Sequence, residues 1–473
     1  MPFVDSSAVL SASAPSTVEC DNEAQPAVLG RGVRVPLVTG GEVEYAALDY
    51  AASAPALRRV WDEVAAYAPY YASVHRGAGY LSQLSTDLYE RSRRTVRDFL
   101  RCRDEDQLVF TRSTTDSLNL LASALPADTR VWVFETEHHA SLLPWSAHPT
   151  TVLAVPRSAR QAVEQLREAL AEAPEGPKLL CVTGASNVTG EVWPVRELTE
   201  VAHRHGARVV LDAAQLVPHH PVDVRAWDVD WIAFSGHKLY APFGAGVLAG
   251  RADWLAEAEP YLAGGGASAQ VARGEDGTLE VTWREGEARH EAGSPNVIGA
   301  YSIAAACRAL EDIGFPALVT RERELLERLR SGLARVPGVR QLSLFGEESD
   351  TGRVGVLSFV VDGWNSSHLA AALSAEYGIG VRDGLFCAHP LLRHLLGADQ
   401  GVSAECGAPE GGADATSLNA VRVSFGVGTP DEHVDRLVAA VDELVRRGAR
   451  WSYHTENGRC VPDSDAGARG AER

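Results

Sequence analysis

Short apolar runs alternate with segments of helical period through the first half of the chain. The runs lie at residues 108–111, 131–134, 152–155, 179–182, 209–212 and 231–235. Segments with apolar residues at helical spacing separate them, for example at 115–124, 159–172 and 195–205. Strands that are apolar on both faces and alternate with helices are typical of a mostly parallel sheet covered on both sides. The pattern therefore predicts an α/β large domain.

The pattern changes after about residue 302, where the helical segments become longer and the strands fewer. A helical region runs toward residue 336, with leucines at helical spacing between residues 325 and 333. The later elements that the pattern predicts are a strand at 354–361, a helix at 367–377, a strand at 421–425 and a helix at 431–447. This order predicts a smaller α+β C-terminal domain. We expect the large domain at 29–310 and the small domain at 311–450, with the N-terminal part as a candidate to pack on the small domain.

The two ends of the chain and one internal segment lack a hydrophobic period. Residues 1–28 are rich in Ser, Ala and Pro and are predicted to form a flexible arm, and residues 451–473 a flexible tail. The segment 397–417 is rich in Gly, Ala and acidic residues and is predicted to be a surface loop. No apolar stretch approaches the ~18 residues of a membrane span. The first residues also lack the basic and apolar regions of a signal peptide.

Charge and cysteine content narrow the range of partners. The 473 residues carry a formal net charge of −19, which argues against nucleic acid or an anionic membrane as the main partner. The seven cysteines are scattered and never form a CxxC pair. This pattern suits a reducing cytoplasm and fits neither a disulfide framework nor a zinc site. We therefore expect a cytoplasmic protein that uses no metal and acts on a small molecule.

A lysine and an acid follow two of the apolar runs. Lys238 lies in SGHKLYAPFGAGVL, just past the run 231–235, and Asp212 ends the run 209–212. Ligands of open α/β sheets bind at such strand ends. The pair suits pyridoxal 5′-phosphate, because a carboxylate keeps the pyridine nitrogen protonated and a lysine holds the cofactor as a Schiff base. The alternatives are a surface lysine in a turn and an acid that caps a helix.

Two further segments offer cofactor contacts. Ser113, Thr114 and Thr115 stand between a predicted strand and helix, where hydroxyls and free backbone amides form a natural phosphate site. The alternative is an ordinary helix N-cap.

His138 follows the run 131–134, where its imidazole is placed to stack on an aromatic cofactor. The alternative for His138 is a structural hydrogen bond.

These segments belong to an ordered set of motifs. The set is LDYAASAP, HRGAGYLSQLSTDLYE, FTRSTTDSLNL, ETEHHASLLPW, SNVTGEVWPV, VVLDAAQLVPHHPVDV, FSGHKLYAPFGAGVL and RHEAGSPNVIGA. It resembles the class V aminotransferase-fold enzymes, most closely the SUF-type cysteine desulfurases and selenocysteine lyases, over residues 48–444. The resemblance implies the PLP-transferase fold type I, with a mostly parallel seven-stranded sheet in the large domain and pyridoxal 5′-phosphate as the cofactor.

The resemblance also implies a role for each matching position. Lys238 would hold the cofactor, and Asp212 would pair with its ring nitrogen. The other cofactor-binding positions are Gln215 at the 3′-oxygen, His138 stacked on the ring, Asn187 near the cofactor oxygen, and Thr114, Thr115, Ser235 and His237 at the phosphate. The amino-acid substrate would be bound by Arg76, Asn187, Arg382 and Arg422. Ser294 would reach the phosphate of a neighbouring subunit, which implies a homodimer.

The segment VRDGLFCAHPLL bears on the reaction. Relatives carry RTGHHCAxP, whose cysteine attacks the sulfur of the bound cysteine, and Cys387 falls on that position. Arg382 would favour its thiolate, while Asp383 would oppose it. The two histidines of the motif are replaced by Leu385 and Phe386. The alternative is that Cys387 is a partly buried structural cysteine.

Three functions follow from this resemblance. The leading prediction is a cysteine desulfurase-like lyase that converts L-cysteine, or a related β-substituted amino acid, to L-alanine. The sulfur would remain on Cys387 as a persulfide, for which a sulfur-acceptor protein is a candidate partner. The second is a β-eliminating C–S lyase, a selenocysteine lyase or a class V aminotransferase of secondary metabolism. The third is a non-catalytic module that retains the fold. Lys238, Cys387 and His138 are the predicted catalytic residues.

Overall fold

The computed structural model of the protein describes residues 27–75, 77–346, 352–397 and 418–463. The strands are, in chain order, β1 (Arg34–Pro36), β2 (Glu42–Glu44), β3 (Ala46–Ala47), β4 (Gln107–Thr111), β5 (Arg130–Phe134), β6 (Thr150–Leu153), β7 (Lys178–Thr183), β8 (Ala207–Asp212), β9 (Trp231–Ser235), β10 (Gly246–Gly250), β11 (Ser268–Arg273), β12 (Leu279–Trp283), β13 (Val339–Gln341), β14 (Val356–Val361), β15 (Ile379–Gly380), β16 (Arg382–Gly384), β17 (Ala420–Ser424), β18 (Tyr453–Glu456) and β19 (Arg459–Pro462). The α-helices are α1 (Arg58–Tyr67), α2 (Tyr80–Phe99), α3 (Thr114–Ala124), α4 (His139–Leu142), α5 (Ala159–Ala171), α6 (Val195–Arg204), α7 (Val224–Trp227), α8 (Asp253–Glu257), α9 (Val297–Ile313), α10 (Phe315–Leu333), α11 (Ser366–Tyr377), α12 (His389–Leu395) and α13 (Asp431–Arg447). The predicted strands and helices of the first half are confirmed to within about two residues.

A seven-stranded sheet forms the centre of the large N-terminal part. Its strand order is β4-β10-β9-β8-β7-β5-β6. The pairs from β9 to β6 are parallel, and β10 runs antiparallel to both of its neighbours. The predicted α/β fold with a mostly parallel seven-stranded sheet is confirmed.

Both faces of this sheet are buried, which explains the continuous apolar runs. Along β5, Val131 and Val133 belong to one hydrophobic cluster and Trp132 and Phe134 to another. Alternate residues of a strand point to opposite faces, so the two clusters lie on the two sides of the sheet. The edge strand β6 is less buried, and its Val152 is 54% exposed.

A second sheet, of four antiparallel strands, forms the C-terminal part with the order β13-β14-β17-β16. The N-terminal segment joins this part, because β3 pairs with β15 and the amide of Leu48 donates to the carbonyl of Gly380. The predicted helical region after residue 302 is two helices, α9 and α10. Gly314 separates them with a φ of 87°, and Pro316 follows, so the α9 helix cannot continue. The predicted domain boundary near residue 310 stays a prediction.

The predicted flexible tail is wrong for residues 453–462, which form the hairpin β18–β19. Its turn is Asn457-Gly458, both with positive φ, and such a pair is a strong local signal for a tight hairpin. The hydroxyl of Tyr453 donates to Glu376 Oε1 on α11 over 2.9 Å, which fastens the hairpin to the C-terminal part. We missed the hairpin because the surrounding composition is polar.

The remaining predictions for the ends fall largely outside the described residues. Residues 1–26, 398–417 and 464–473 are not among them, so the arm, most of the acidic loop and the last residues stay predictions. Val28 is buried and forms an isolated antiparallel β-bridge with Leu57, so the predicted arm extends too far at its C-terminal end.

Among the described helices, none is long and apolar enough to cross a membrane.

Candidate active site

A cavity of about 270 Å³ opens at the carboxyl ends of the parallel strands. Thr183 and Asp212 end β7 and β8 in its wall, and Ser235 ends β9. Parallel strands present their carboxyl ends at one edge of the sheet, so side chains distant in sequence converge there. The C-terminal part closes the other side with residues from β16, β17 and the turn before α12.

The cavity collects most of the residues that the sequence singled out. The predicted residues in its wall are Thr114, Thr115, His138, Asn187, Asp212, Gln215, Ser235, His237, Lys238, Arg382, Cys387 and Arg422. Ser294 does not line it and is exposed in the loop before α9. Arg76 lies outside the described residues.

The N-terminus of α3 forms a cradle for an anion at one end of the cavity. The amide and hydroxyl of Thr114 each lie 2.7 Å from Ser235 Oγ, and Ser113 Oγ caps the helix by accepting from the amide of Asp116. A Cβ on Gly246 of β10 would stand 2.7 Å from the Ser113 backbone, so only glycine permits this approach. Backbone amides and the helix dipole at such a terminus favour a phosphate. The predicted N-cap is confirmed, and the phosphate site stays a prediction.

Asp212 is held in a fixed orientation at the floor of the cavity. Its Oδ2 accepts from Ser141 Oγ over 2.5 Å, and its Oδ1 accepts from the amide of Ala214 over 3.0 Å. Glu137 lies close behind, fully buried, and accepts from the amide of Thr183. Burial and the neighbouring Asp212 charge raise the pKa of Glu137 well above its ordinary value. The surroundings of Glu137 therefore favour its protonated form.

Lys238 and His138 face the same space with lowered pKa values. The pKa of Lys238 is lowered to about 8, chiefly by burial, with Asp212 opposing the shift and Arg422 contributing to it. Burial and the charge of Lys238 lower the pKa of His138 to about 4. His138 Nδ1 accepts from the amide of Ala140 over 3.0 Å, which places the proton of the neutral ring on Nε2. His138 thus makes the structural hydrogen bond considered as an alternative and also lines the cavity.

Two arginines stand opposite each other on β16 and β17, with Arg382 paired to Arg422. Arg422 is 4% exposed, and it donates to the carbonyl of Asn187 over 3.1 Å and to Asp49 Oδ1 over 3.0 Å. Its Nε is buried without a hydrogen-bond partner in the part of the chain that the structure describes. Burial lowers the pKa of Arg422, and Asp49 opposes this shift. Arg422 lines the cavity, so a carboxylate bound there would meet its guanidinium.

Cys387 is exposed toward the cavity from a turn before α12. Phe386 and Cys387 both have positive φ, 53° and 52°. Two hydrogen bonds hold this turn, from Asn187 Nδ2 to the carbonyl of Phe386 and from the amide of His139 to the carbonyl of Cys387. Because Cys387 is exposed, its interpretation as a partly buried structural cysteine is wrong. Asp383 does not line the cavity, and its Oδ2 accepts from Ser367.

The site and the fold match known proteins over most of the chain. The sequence profile of the family "Aminotransferase class-V" matches residues 46–437. The chain belongs to the class-V aminotransferase family. A cysteine desulfurase of Escherichia coli (strain SE11) is 35% identical over 408 residues, 84% of this chain and 93% of the relative.

Two further relatives of this class-V aminotransferase show the same resemblance. A cysteine desulfurase of Synechococcus elongatus is 36% identical over 332 residues, which are 68% of this chain and 51% of that relative. The apo structure of a cysteine desulfurase from Thermococcus onnurineus NA1 has a TM-score of 0.73 and 32% sequence identity, with 85% of this chain and 95% of that chain covered. The predicted resemblance to class V enzymes and cysteine desulfurases is confirmed.

Class-V aminotransferases depend on pyridoxal 5′-phosphate, and the side chains of this cavity fit that group. The anion cradle at α3, the carboxylate of Asp212 and the primary amine of Lys238 line the same space. They match the phosphate, the ring nitrogen and the aldehyde of the cofactor, respectively. The chemistry of the donors therefore agrees with the family.

Sequence reasoning missed three residues of this class-V site: Ser141 orients Asp212, Glu137 lies next to Asp212, and Asp49 pairs with Arg422. It named Phe386 but missed the packing of its ring on the Arg422 guanidinium. Ser141 and Glu137 lie within three residues of His138, in the motif ETEHHASLLPW, so the sequence around His138 could have pointed to them. Asp49 and Phe386 contact a residue far away in sequence, and no spacing rule finds such pairs.

Proposed function

We propose that the protein is a pyridoxal-phosphate-dependent cysteine desulfurase that converts L-cysteine to L-alanine and keeps the sulfur on Cys387. The observation that carries the proposal is the exposed Cys387 in the same cavity as Lys238 and Arg422. The cavity thus offers an amine, a carboxylate-binding cation and a thiol. The relatives named cysteine desulfurases support the choice among class-V reactions.

The chain's own residues would hold the cofactor and the substrate. The proposed phosphate contacts are Thr114, Thr115, Ser235 and His237, with Ser294 reaching the site of a second subunit. Asp212 would bind the ring nitrogen and Gln215 the 3′-oxygen. Gln215 is buried and its Nε2 already donates to the carbonyl of Ala51, which fixes the amide plane. Arg422, Arg382 and Asn187 would bind the substrate carboxylate, with Arg76 as a further contact.

The bound cofactor supplies an electron sink for the electron pair released at the substrate Cα. Lys238 can take and return the Cα proton, because its lowered pKa leaves a fraction of the amine neutral near neutral pH. His138 stays neutral at that pH and offers its Nε2 proton, so its ring can pack against the cofactor without adding a positive charge.

The sulfur step uses the thiol of Cys387. Its thiolate attacks the substrate Sγ, a sulfur–sulfur bond forms, and the Cβ–Sγ bond breaks with its electron pair going to Cβ. Protonation of that carbon gives alanine, and Cys387 carries the persulfide. Atoms and electrons balance without an external oxidant. A thiol of an acceptor protein could then take the sulfur.

The product distinguishes this reaction from the others available to the family. Incubation with L-cysteine and a thiol reductant should give alanine and sulfide in equal amounts. Pyruvate and ammonia in place of alanine would contradict the proposal and indicate β-elimination. A requirement for an amino acceptor would indicate transamination instead.

The rate of cofactor attachment should report the lowered pKa of Lys238. The neutral amine is the reactive form, so the attachment rate of apoprotein should rise roughly tenfold between pH 7 and 9 and level off above pH 8. Stopped-flow absorbance of pyridoxal phosphate would measure the rate. A rise that continues without levelling, as for an ordinary lysine, would contradict the burial effect.

We also propose that the protein forms a homodimer and acts in the cytoplasm. Ser294 is exposed in the loop before α9, where a second copy of the protein could contact it. Among the described cysteines, Cys102, Cys181, Cys307 and Cys387 are free thiols, which suits a reducing compartment. Sedimentation at working concentration would test the dimer.

A further inference from the structure

The ring of Phe386 covers the guanidinium of Arg422. The Arg422 Cζ lies 5.0 Å from the ring centroid, and Phe386 is 8% exposed while Arg422 is 4% exposed. A cation at this distance from an aromatic face is attracted by the ring quadrupole, and the attraction grows when water is excluded. The contact therefore restricts the plane and the hydration of the guanidinium.

Asn187 joins the same two residues through hydrogen bonds. Its side-chain nitrogen donates to the carbonyl of Phe386 over 2.9 Å, and its own carbonyl accepts from Arg422 over 3.1 Å. Phe386, Asn187 and Arg422 thus form a closed set of three contacts. Cys387 follows Phe386 directly, so the set also ties the thiol-bearing turn to the arginine.

The Arg422 guanidinium retains donors that this set does not use. Its terminal nitrogens each carry two N–H groups and donate to Asn187 and Asp49, and Arg422 lines the cavity. A carboxylate binds a guanidinium best in the guanidinium plane, through two parallel hydrogen bonds. An arginine whose plane is already fixed loses less conformational freedom on binding.

We propose that Phe386 is a positioning residue for the substrate carboxylate. Its ring holds the Arg422 guanidinium in the plane that accepts the α-carboxylate and excludes water from one guanidinium face. The inference deepens the proposed function and rests on it for the identity of the substrate.

Calorimetric titration of the holoenzyme with propionate and with propanamide would test the carboxylate site without turnover. Phe386→Leu should weaken propionate binding roughly 3- to 30-fold, the range expected for a lost cation–π contact. Binding of the neutral propanamide should not change. Phe386→Tyr keeps the ring face and should bind propionate as the wild type does.

Steady-state kinetics with L-cysteine would show whether the effect lies in binding. Phe386→Leu should raise KM by a similar factor and leave kcat nearly unchanged, because a carboxylate contact is kept from ground state to transition state. The matched control is Phe345→Leu. Phe345 is comparably buried, packs on Trp193 and does not line the cavity, so propionate affinity should stay as in the wild type.

Several outcomes would overturn the inference. Equal propionate affinity in the wild type and in Phe386→Leu would do so, as would a wild type that binds propionate no better than propanamide. Slower alkylation of Cys387 at unchanged propionate affinity would show that Phe386 only supports the turn. If the leucine variant is unstable, Phe386→Met, which is also apolar without a ring, gives the same readout.

A different outcome separates this inference from the proposed function. If Phe386→Leu loses propionate affinity but the wild type makes no alanine, only the desulfurase proposal is refuted.

Discussion

Lys238→Ala should lower turnover of L-cysteine by at least ~10⁴-fold and abolish covalent attachment of pyridoxal phosphate. Lys238 is the amine in the cavity wall, and burial lowers its pKa to about 8. Removal takes away both the cofactor attachment and the proposed carrier of the Cα proton. Cofactor attachment can be measured by borohydride reduction followed by peptide mass spectrometry.

Lys178→Ala is the matched control, because Lys178 is the other lysine in the sequence. It lies at the start of β7, and its Nζ contacts the carbonyl of Gly176. Reduction of the wild type should label Lys238 and leave Lys178 unlabelled. Label on Lys178, or a Lys238→Ala variant that retains wild-type turnover, would refute the assignment of the cofactor lysine.

Cys387→Ala should keep cofactor binding while alanine formation from L-cysteine falls on the order of 10³-fold or more. The side chain reaches the cavity from the turn before α12, whereas the proposed cofactor contacts lie at the strand ends of the large sheet. Loss of the thiol removes the nucleophile for the substrate sulfur and leaves the cofactor cradle in place. Cofactor absorbance and alanine release, measured side by side, separate the two effects.

Cys460→Ala offers a comparison outside the site, since Cys460 lies in the β18–β19 hairpin. This variant should release alanine at the wild-type rate. Mass spectrometry of the wild type after one turnover should show an added sulfur on Cys387. Wild-type rates of alanine and sulfide formation by Cys387→Ala would exclude the persulfide and leave Lys238 with its surrounding residues as the site of another class-V reaction.

The sequence by itself determined the features that depend on neighbouring residues. Apolar runs marked the strands of the large sheet, because a strand buried on both faces needs no polar positions. Lys238 and Asp212 were found because each stands at a strand end, and the order of the motifs identified the family. The hairpin turn Asn457-Gly458 was equally local and was overlooked in a polar setting.

Only the tertiary structure decided which residues distant in sequence contact each other and how deeply they are buried. Asn187, Phe386 and Arg422 meet although long stretches of chain separate them, and the contact depends on how the two sheets pack. The raised pKa of Glu137 and the lowered pKa of Lys238 depend on burial, which no local spacing specifies. Desolvation and cross-chain contacts are properties of the folded cavity, because the same side chains in an extended chain would be hydrated and far apart.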